Sequence, residues 1–208
     1  MSELTRLLLV RHGQTPWTVE HRLQGQTDIP LNGTGREQAA ALRPSVQEFA
    51  PESVLSSPAQ RAAQTAQILS PLEPVYDDRL KEADLGQWEG RTAEEIGADY
   101  LAWRAGTVLP PGAEPRETVV DRVKSFLQDA AAVPGNVLIV THGGVIRAAL
   151  HALVGLRIDQ IVPVAAASLT VLDLVTEDLS QARLRHYNLS PSTVPGQSGS
   201  APPRLRSS

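Results

Sequence analysis

Short runs of Leu, Val and Ile alternate along the chain with longer stretches in which apolar residues recur at helical spacing. The runs at 7–10, 53–56, 137–141, 169–174 and 183–187 read as strands, and those at 34–49, 58–69, 92–98, 116–132 and 145–154 as helices. Two helix starts carry chemical signals. Ser57 followed by Pro58 predicts an N-cap with proline at the first helical position, and Thr92 with Glu95 predicts a capping box. Such alternation of strand and helix is the pattern of an α/β domain.

The chain has 208 residues, enough for one domain with a substantial core, expected over 1–190. Residues 191–208 are almost entirely Ser, Pro, Gly, Gln and Arg and predict a disordered tail. Around 99–115, Pro110, Pro111, Gly112 and Pro115 follow Trp103 and Arg104 and predict a loop or lid. There is no cysteine, which excludes disulfides, thiolate metal sites and cysteine nucleophiles. The first six residues and the four apolar ones after them are too short and too charged for a signal peptide, and no stretch reaches membrane-spanning length. A cytoplasmic setting with no membrane partner is the expectation. The formal net charge of −4 argues against nucleic acid as a partner, while leaving room for a small anion held by a few arginines.

Candidate chemistry sits at strand ends. Leu7-Leu8-Leu9-Val10 delivers Arg11-His12-Gly13 to the carboxyl edge of a strand, where α/β sheets bind ligands. Val137-Leu138-Ile139-Val140 delivers Thr141-His142-Gly143-Gly144 in the same way, and the free amides of the helix that follows would favour an anion. Either motif alone reads equally as a structural turn; two with one plan, from separate strands, make a site. Arg61 falls in the first turns of its helix, where a cation is disfavoured unless an anion offsets it. The run from Glu82 to Glu94 contains several carboxylates, Asp84 and Glu89 among them, and leaves open which one acts.

Taken together these segments resemble the histidine phosphatase superfamily, the phosphoglycerate-mutase-like branch 1. Arg11-His12-Gly13-Gln14-Thr15 with Trp17, Gln24-Gly25, Asp28, Leu31, Gly35 and Ala39 is similar to its opening. Ser56-Ser57-Pro58 with Arg61-Ala62 and Thr65-Ala66, then Glu82, Gly86, Trp88, Glu89 and Gly90, then Thr141-His142-Gly143-Gly144 follow in the family's order. The resemblance covers roughly residues 6–190. It implies a three-layer α/β/α sandwich on a mainly parallel sheet, and a phosphomonoester hydrolase acting on a small phosphorylated metabolite through a phosphohistidine. His12 would be the nucleophile, Arg11, Arg61 and His142 the phosphate cradle, and Glu82 the proton donor. Thr18, Gln24, Gly25 and the Gly143 amide would contact phosphate or substrate. The resemblance implies no cofactor and no metal, and is compatible with a homodimer. Two departures stand out: Thr18 replaces the family's frequent Asn after Trp17, and Gly112-Ala113-Glu114-Pro115 lacks the serine that would cap the following helix.

Phosphoryl transfer needs an in-line nucleophile and positive charge on the equatorial oxygens, which without a metal falls to guanidinium and imidazolium. Competing readings are a zinc hydrolase using His12, His142 and Glu82, a catalytically dead binding module, and a phosphoglycerate mutase. Two arginines disfavour the metal, and all five principal groups are present. Ala83-Asp84-Leu85-Gly86 after Glu82 favours hydrolase over mutase, since Asp84 would repel a second anionic group.

Overall fold

The computed structural model describes residues 4–157, 160–175 and 178–191. The disordered tail expected over 191–208 lies, from residue 192 on, outside the described residues. Six strands form one sheet: β1 (Leu4–Arg11), β2 (Ser53–Ser56), β3 (Val75–Tyr76), β4 (Gly135–Thr141), β5 (Leu169–Val175) and β6 (Asp178–Leu189). Their order is β3-β2-β4-β1-β5-β6. The β3–β2, β2–β4 and β4–β1 pairings are parallel, and the β1–β5 and β5–β6 pairings antiparallel.

Strand β1 reads as an unbroken apolar run because both its faces are covered. Leu7 and Leu9 pack on one side with α6 (Arg116–Ala131) and α7 (Gly143–Val154); Leu8 and Val10 pack on the other with α2 (Gly33–Gln47) and α3 (Gln60–Leu69). The three layers implied by the resemblance are thus present. Each helix turns one apolar stripe inward: Gly35, Ala39, Leu42 and Val46 in α2, and Val119, Val123, Phe126, Leu127 and Ala130 in α6. The short helices α1 (Pro16–Val19), α4 (Ala93–Ile96) and α5 (Ala98–Arg104) lie in the connections.

Several boundaries differ from expectation. Helix α3 begins at Gln60, with Ala59 at its N-cap and no capping side chain. Ser57, expected to cap it, is buried two residues before the N-cap, where its hydroxyl accepts from Ala59 N (3.3 Å) and meets His142. The capping box of Thr92 and Glu95 is present, but Gly97 at φ 76° ends α4 and starts α5, so the first third of the expected loop at 99–115 is helical. Pro115 caps α6 without a side-chain bond, and neighbouring Glu114 is held by both Nε (2.8 Å) and Nη2 (3.0 Å) of Arg122. Strand β3 escaped notice because it is two exposed residues at the sheet edge.

Register is what builds the site. Arg11 lies opposite Thr141, and Ser56 opposite Val140. The next residue of each chain, His12, His142 and Ser57, therefore leaves the same carboxyl edge. Backbone bonds continue the pairing past the strands, from His12 N to Thr141 O (2.9 Å) and from Ser57 N to Val140 O (2.9 Å). The turn after His12 is pressed on α2: a Cβ on Gly35 would stand 2.1 Å from the Gln14 carbonyl oxygen, and one on Gly13 2.4 Å from that of Gly35. Glycine is required here by contact between backbones. Replacing a helical glycine by alanine ordinarily stabilises, but Gly35→Ala should lower the unfolding free energy by about 1–3 kcal/mol through overpacking. A urea midpoint equal to or above that of the wild type would contradict this account of the turn.

Candidate active site

His12 and His142 are 3% and 0% exposed, with ring centroids 5.1 Å apart and planes inclined at 61°. Each ring is fixed by a different partner. The Nδ1–H of His12 donates to the Gly13 carbonyl at 2.8 Å, leaving Nε2 as the nitrogen with a lone pair. His142 receives the Nε–H of Arg61 on Nδ1 (3.3 Å), so its proton lies on Nε2 and is donated to Ser57 Oγ (2.9 Å). Burial, reinforced for both rings by the nearby Arg11 and Arg61 guanidiniums, holds both well below the usual histidine range. The imidazolium expected of His142 is therefore a neutral ring here.

Arg61 is 1% exposed and reaches back from the start of α3. Its Nη1 and Nη2 donate to the carbonyls of Thr27 (2.8 Å) and Gly25 (2.7 Å). Arg11 donates Nη1 to Val164 O (2.5 Å), while its buried Nε has no partner among the described residues. Burial pulls both guanidiniums below the usual arginine range, against the opposing pull of Glu82.

Glu82 is the carboxylate the fold brings to this edge. Its Oε1 accepts from Ala83 N (3.0 Å) and its Oε2 from Gly144 N (3.1 Å). The anion held at the start of α7 is thus the protein's own carboxylate. A side chain at position 144 would collide with it, since a Cβ there would stand 2.2 Å from Glu82 Oε1. The other two candidates are structural. Asp84 accepts from Gly86 N (2.7 Å). Glu89 gathers Gln26 N (2.7 Å), Thr27 N (2.9 Å), the Thr27 hydroxyl and Leu85 N (3.2 Å). Among the described residues no group of three His, Asp or Glu side chains is placed to hold a metal ion.

A model of the histidine phosphatase superfamily (branch 1) matches residues 7–188. Glucosyl-3-phosphoglycerate phosphatase of Mycolicibacterium vanbaalenii is 38% identical over 171 residues, covering 74% of this chain and 76% of that one. A probable phosphoglycerate mutase GpmB of Escherichia coli O1:K1 / APEC is 31% identical over 165 residues, covering 74% and 76%. The structure of mycobacterial glucosyl-3-phosphoglycerate phosphatase superposes with a TM-score of 0.80 at 34% identity, over 90% of this chain and 100% of that one. The chain belongs to the histidine phosphatase superfamily. It is a hydrolase of phosphate monoesters.

Three of the remaining expected contacts of this histidine phosphatase, Thr18, Gln24 and Gly25, take part in hydrogen bonds within the protein. Thr15 and Thr18 form the capping box of α1, and the Gln24 amide bridges their hydroxyls, at 3.1 Å to each. Gly25, at φ 51°, turns its carbonyl to Arg61, and a Cβ there would stand 1.9 Å from Glu89 Oε1. Gly143 lies against the Arg11 side chain, 3.7 Å from where its Cβ would stand. Ser57 was missed as a site residue because a serine before proline reads as a helix cap. The available signal was its place directly after a parallel strand, the place His12 and His142 share.

Both buried histidines have folded pKa values below the 6.5 of an exposed imidazole. Below that pH the unfolded chain binds protons that the folded one refuses. The stability they confer is complete above about pH 6.5 and falls with acidification, by up to about 1.4 kcal/mol per pH unit for each ring. Urea midpoints between pH 7.5 and 5.5 should show this slope, and His12→Asn should make it shallower. A variant slope equal to the wild-type slope would mean that His12 takes up its proton in the folded state.

Proposed function

We propose that the phosphoryl group of a small phosphorylated metabolite passes first to His12 Nε2 and then to water. The observation that carries this reading is the unpartnered, buried Nε–H of Arg11 beside an imidazole whose Nε2 is free to attack. A phosphate oxygen answers both needs, and desolvation makes each contact stronger than it would be in water. The dianion also supplies the charge that raises His142's proton affinity, so binding and protonation of this ring are coupled. Glu82 gives a proton to the departing oxygen in the first step and takes one from water in the second. Dividing the displacement in two keeps both halves in the reach of one carboxylate. Ser57 and Arg61 act through His142, and Gln24 through Thr18, as positioning groups. A cytoplasmic setting and a homodimer belong to the same reading, and are decided by cell fractionation and light scattering. Transfer back to a bound product, as in a mutase, is the second reading, favoured by the relative so named; comparing isomerisation with phosphate release in one preparation decides between the two.

His12→Ala should abolish turnover, and quenching the wild-type enzyme during turnover should trap an acid-labile phosphate on His12 by mass spectrometry. Full activity in His12→Ala would remove the covalent mechanism.

For Glu82→Gln the informative quantity is the rate of the first step, in rapid mixing. An alkyl ester, whose alkoxide needs a proton to depart, should slow by about 10²–10⁴-fold. Nitrophenyl phosphate should keep its burst, because nitrophenolate leaves unprotonated. Equal slowing of both esters would assign Glu82 to phosphate binding, and no slowing of either would exclude it from the step.

A further inference from the structure

Residues 162–168, between α7 and β5, belong to no helix or strand, yet they hold the end of β1 at three points. Ser168 O accepts from Arg11 N (3.2 Å), and Ala167 N donates to His12 O (3.1 Å). Val164 O accepts from Arg11 Nη1 (2.5 Å). Val164, Ala167 and Ser168 are buried, and Ala167 has φ 47°, a strained value for alanine that persists only where its surroundings impose it.

The surroundings come from the end of β6. Its pairing with β5 slips between Leu169↔Leu189 and Val171↔His186, so that Tyr187 and Asn188 together stand opposite Thr170. A bulge of this kind re-aims a side chain. Asn188 takes φ 58°, in the left-handed region that asparagine tolerates better than most residues, and its N–H donates to the Thr170 hydroxyl (3.2 Å). Its carboxamide reaches the peptides on both sides of Val164. Nδ2 donates to Pro163 O (3.3 Å), and Oδ1 accepts from Ala165 N (2.7 Å). The Tyr187 hydroxyl donates to Val162 O.

The Ala165 N–H and the Val164 C=O are the two ends of one planar trans peptide, so the direction of one fixes the direction of the other. With its N–H on Asn188, this peptide aims its C=O at Arg11 Nη1. We propose that Asn188 is a positioning residue: through the Val164–Ala165 peptide it orients the Arg11 guanidinium, and so sets the affinity of the site for a phosphate-like anion. The assignment rests on the contact between Arg11 and phosphate proposed above. Three demands meet at this position: a left-handed backbone, a donor for Pro163 O and an acceptor for Ala165 N. Asparagine meets all three, aspartate lacks the donor, and glycine supplies the backbone alone.

The test measures orthovanadate binding to the full chain by calorimetry, which needs no turnover. Asn188→Gly keeps the positive φ and removes the carboxamide, and should weaken vanadate by about 5–10-fold, the worth of one hydrogen bond. In Arg11→Met, where Arg61 and His142 still meet the anion, the same change should cost less than about twofold, because the two residues act in series. Asn188→Asp keeps the acceptor for Ala165 and should bind vanadate within about twofold of the wild type. Wild-type affinity in Asn188→Gly, an equal loss in both backgrounds, or a loss in Asn188→Asp as large as in Asn188→Gly overturns the positioning role alone. Should Asn188→Gly lack a cooperative urea transition, the wild-type chain decides. By reciprocity vanadate should slow exchange of the Ala165 amide hydrogen by about the same 5–10-fold, and should not do so in Arg11→Met; unchanged exchange in the wild type overturns the proposal. Vanadate binding indifferent to Arg11→Met overturns the contact of Arg11 with phosphate, and the role of Asn188 with it.

Discussion

The burial of Arg61 is the constraint around which the site is organised. A guanidinium withdrawn from water must find acceptors for its donors, since an unmatched charge in the interior costs several kcal/mol. Among the described residues no carboxylate pairs with it. Two carbonyls, of Gly25 and Thr27, and the ring of His142 take its hydrogens. Glu89 holds the neighbouring amides of Gln26 and Thr27, and so fixes the Gly25–Gln26 peptide whose carbonyl faces Arg61. One arginine thus connects the start of α3, the loop before α2, the 85–89 turn and the second histidine. Neutral acceptors also leave its positive charge unspent, available to a phosphate.

The same economy of charge governs the rest of the edge. Two imidazoles between two guanidiniums are held neutral by burial and by those cations, so one ring offers a nucleophilic nitrogen and the other a defined tautomer. Glu82 is held by two backbone amides, one at the start of α7, and not by either arginine. A carboxylate paired directly with Arg11 or Arg61 would cancel the field that draws in the substrate and would hold its proton too weakly to act as a donor. Separation by a few ångströms of backbone lets acid and cations serve the same phosphoryl group.

Much of this was legible along the chain. The apolar run of β1 followed by Arg11-His12-Gly13, and that of β4 followed by His142-Gly143-Gly144, announced two parallel strands with chemistry at their carboxyl ends. Arg61 in the first turn of a helix announced an anion nearby. Misreadings arose where a local signal has two physical uses. Ser57 has the sequence of a helix cap and the work of a histidine's partner. Glu89 belongs to the same acidic run as Glu82 and differs only in what surrounds it.

By itself the sequence determined the elements, the two-sided burial of β1, the residue types at the carboxyl edge and the family to which they belong. Each of these depends on neighbours within a turn or a strand, whose periodicity is written in the order of residues. Tertiary structure alone decided which carboxylate faces the histidines, which nitrogen of each ring carries the proton, and which arginines are left without an acid. Those are questions of distance between Glu82 and Gly144, Arg61 and His142, or Glu114 and Arg122. Side chains eight to eighty-one residues apart meet only once the register of β1, β4 and β2 and the packing of α6 and α7 have placed them.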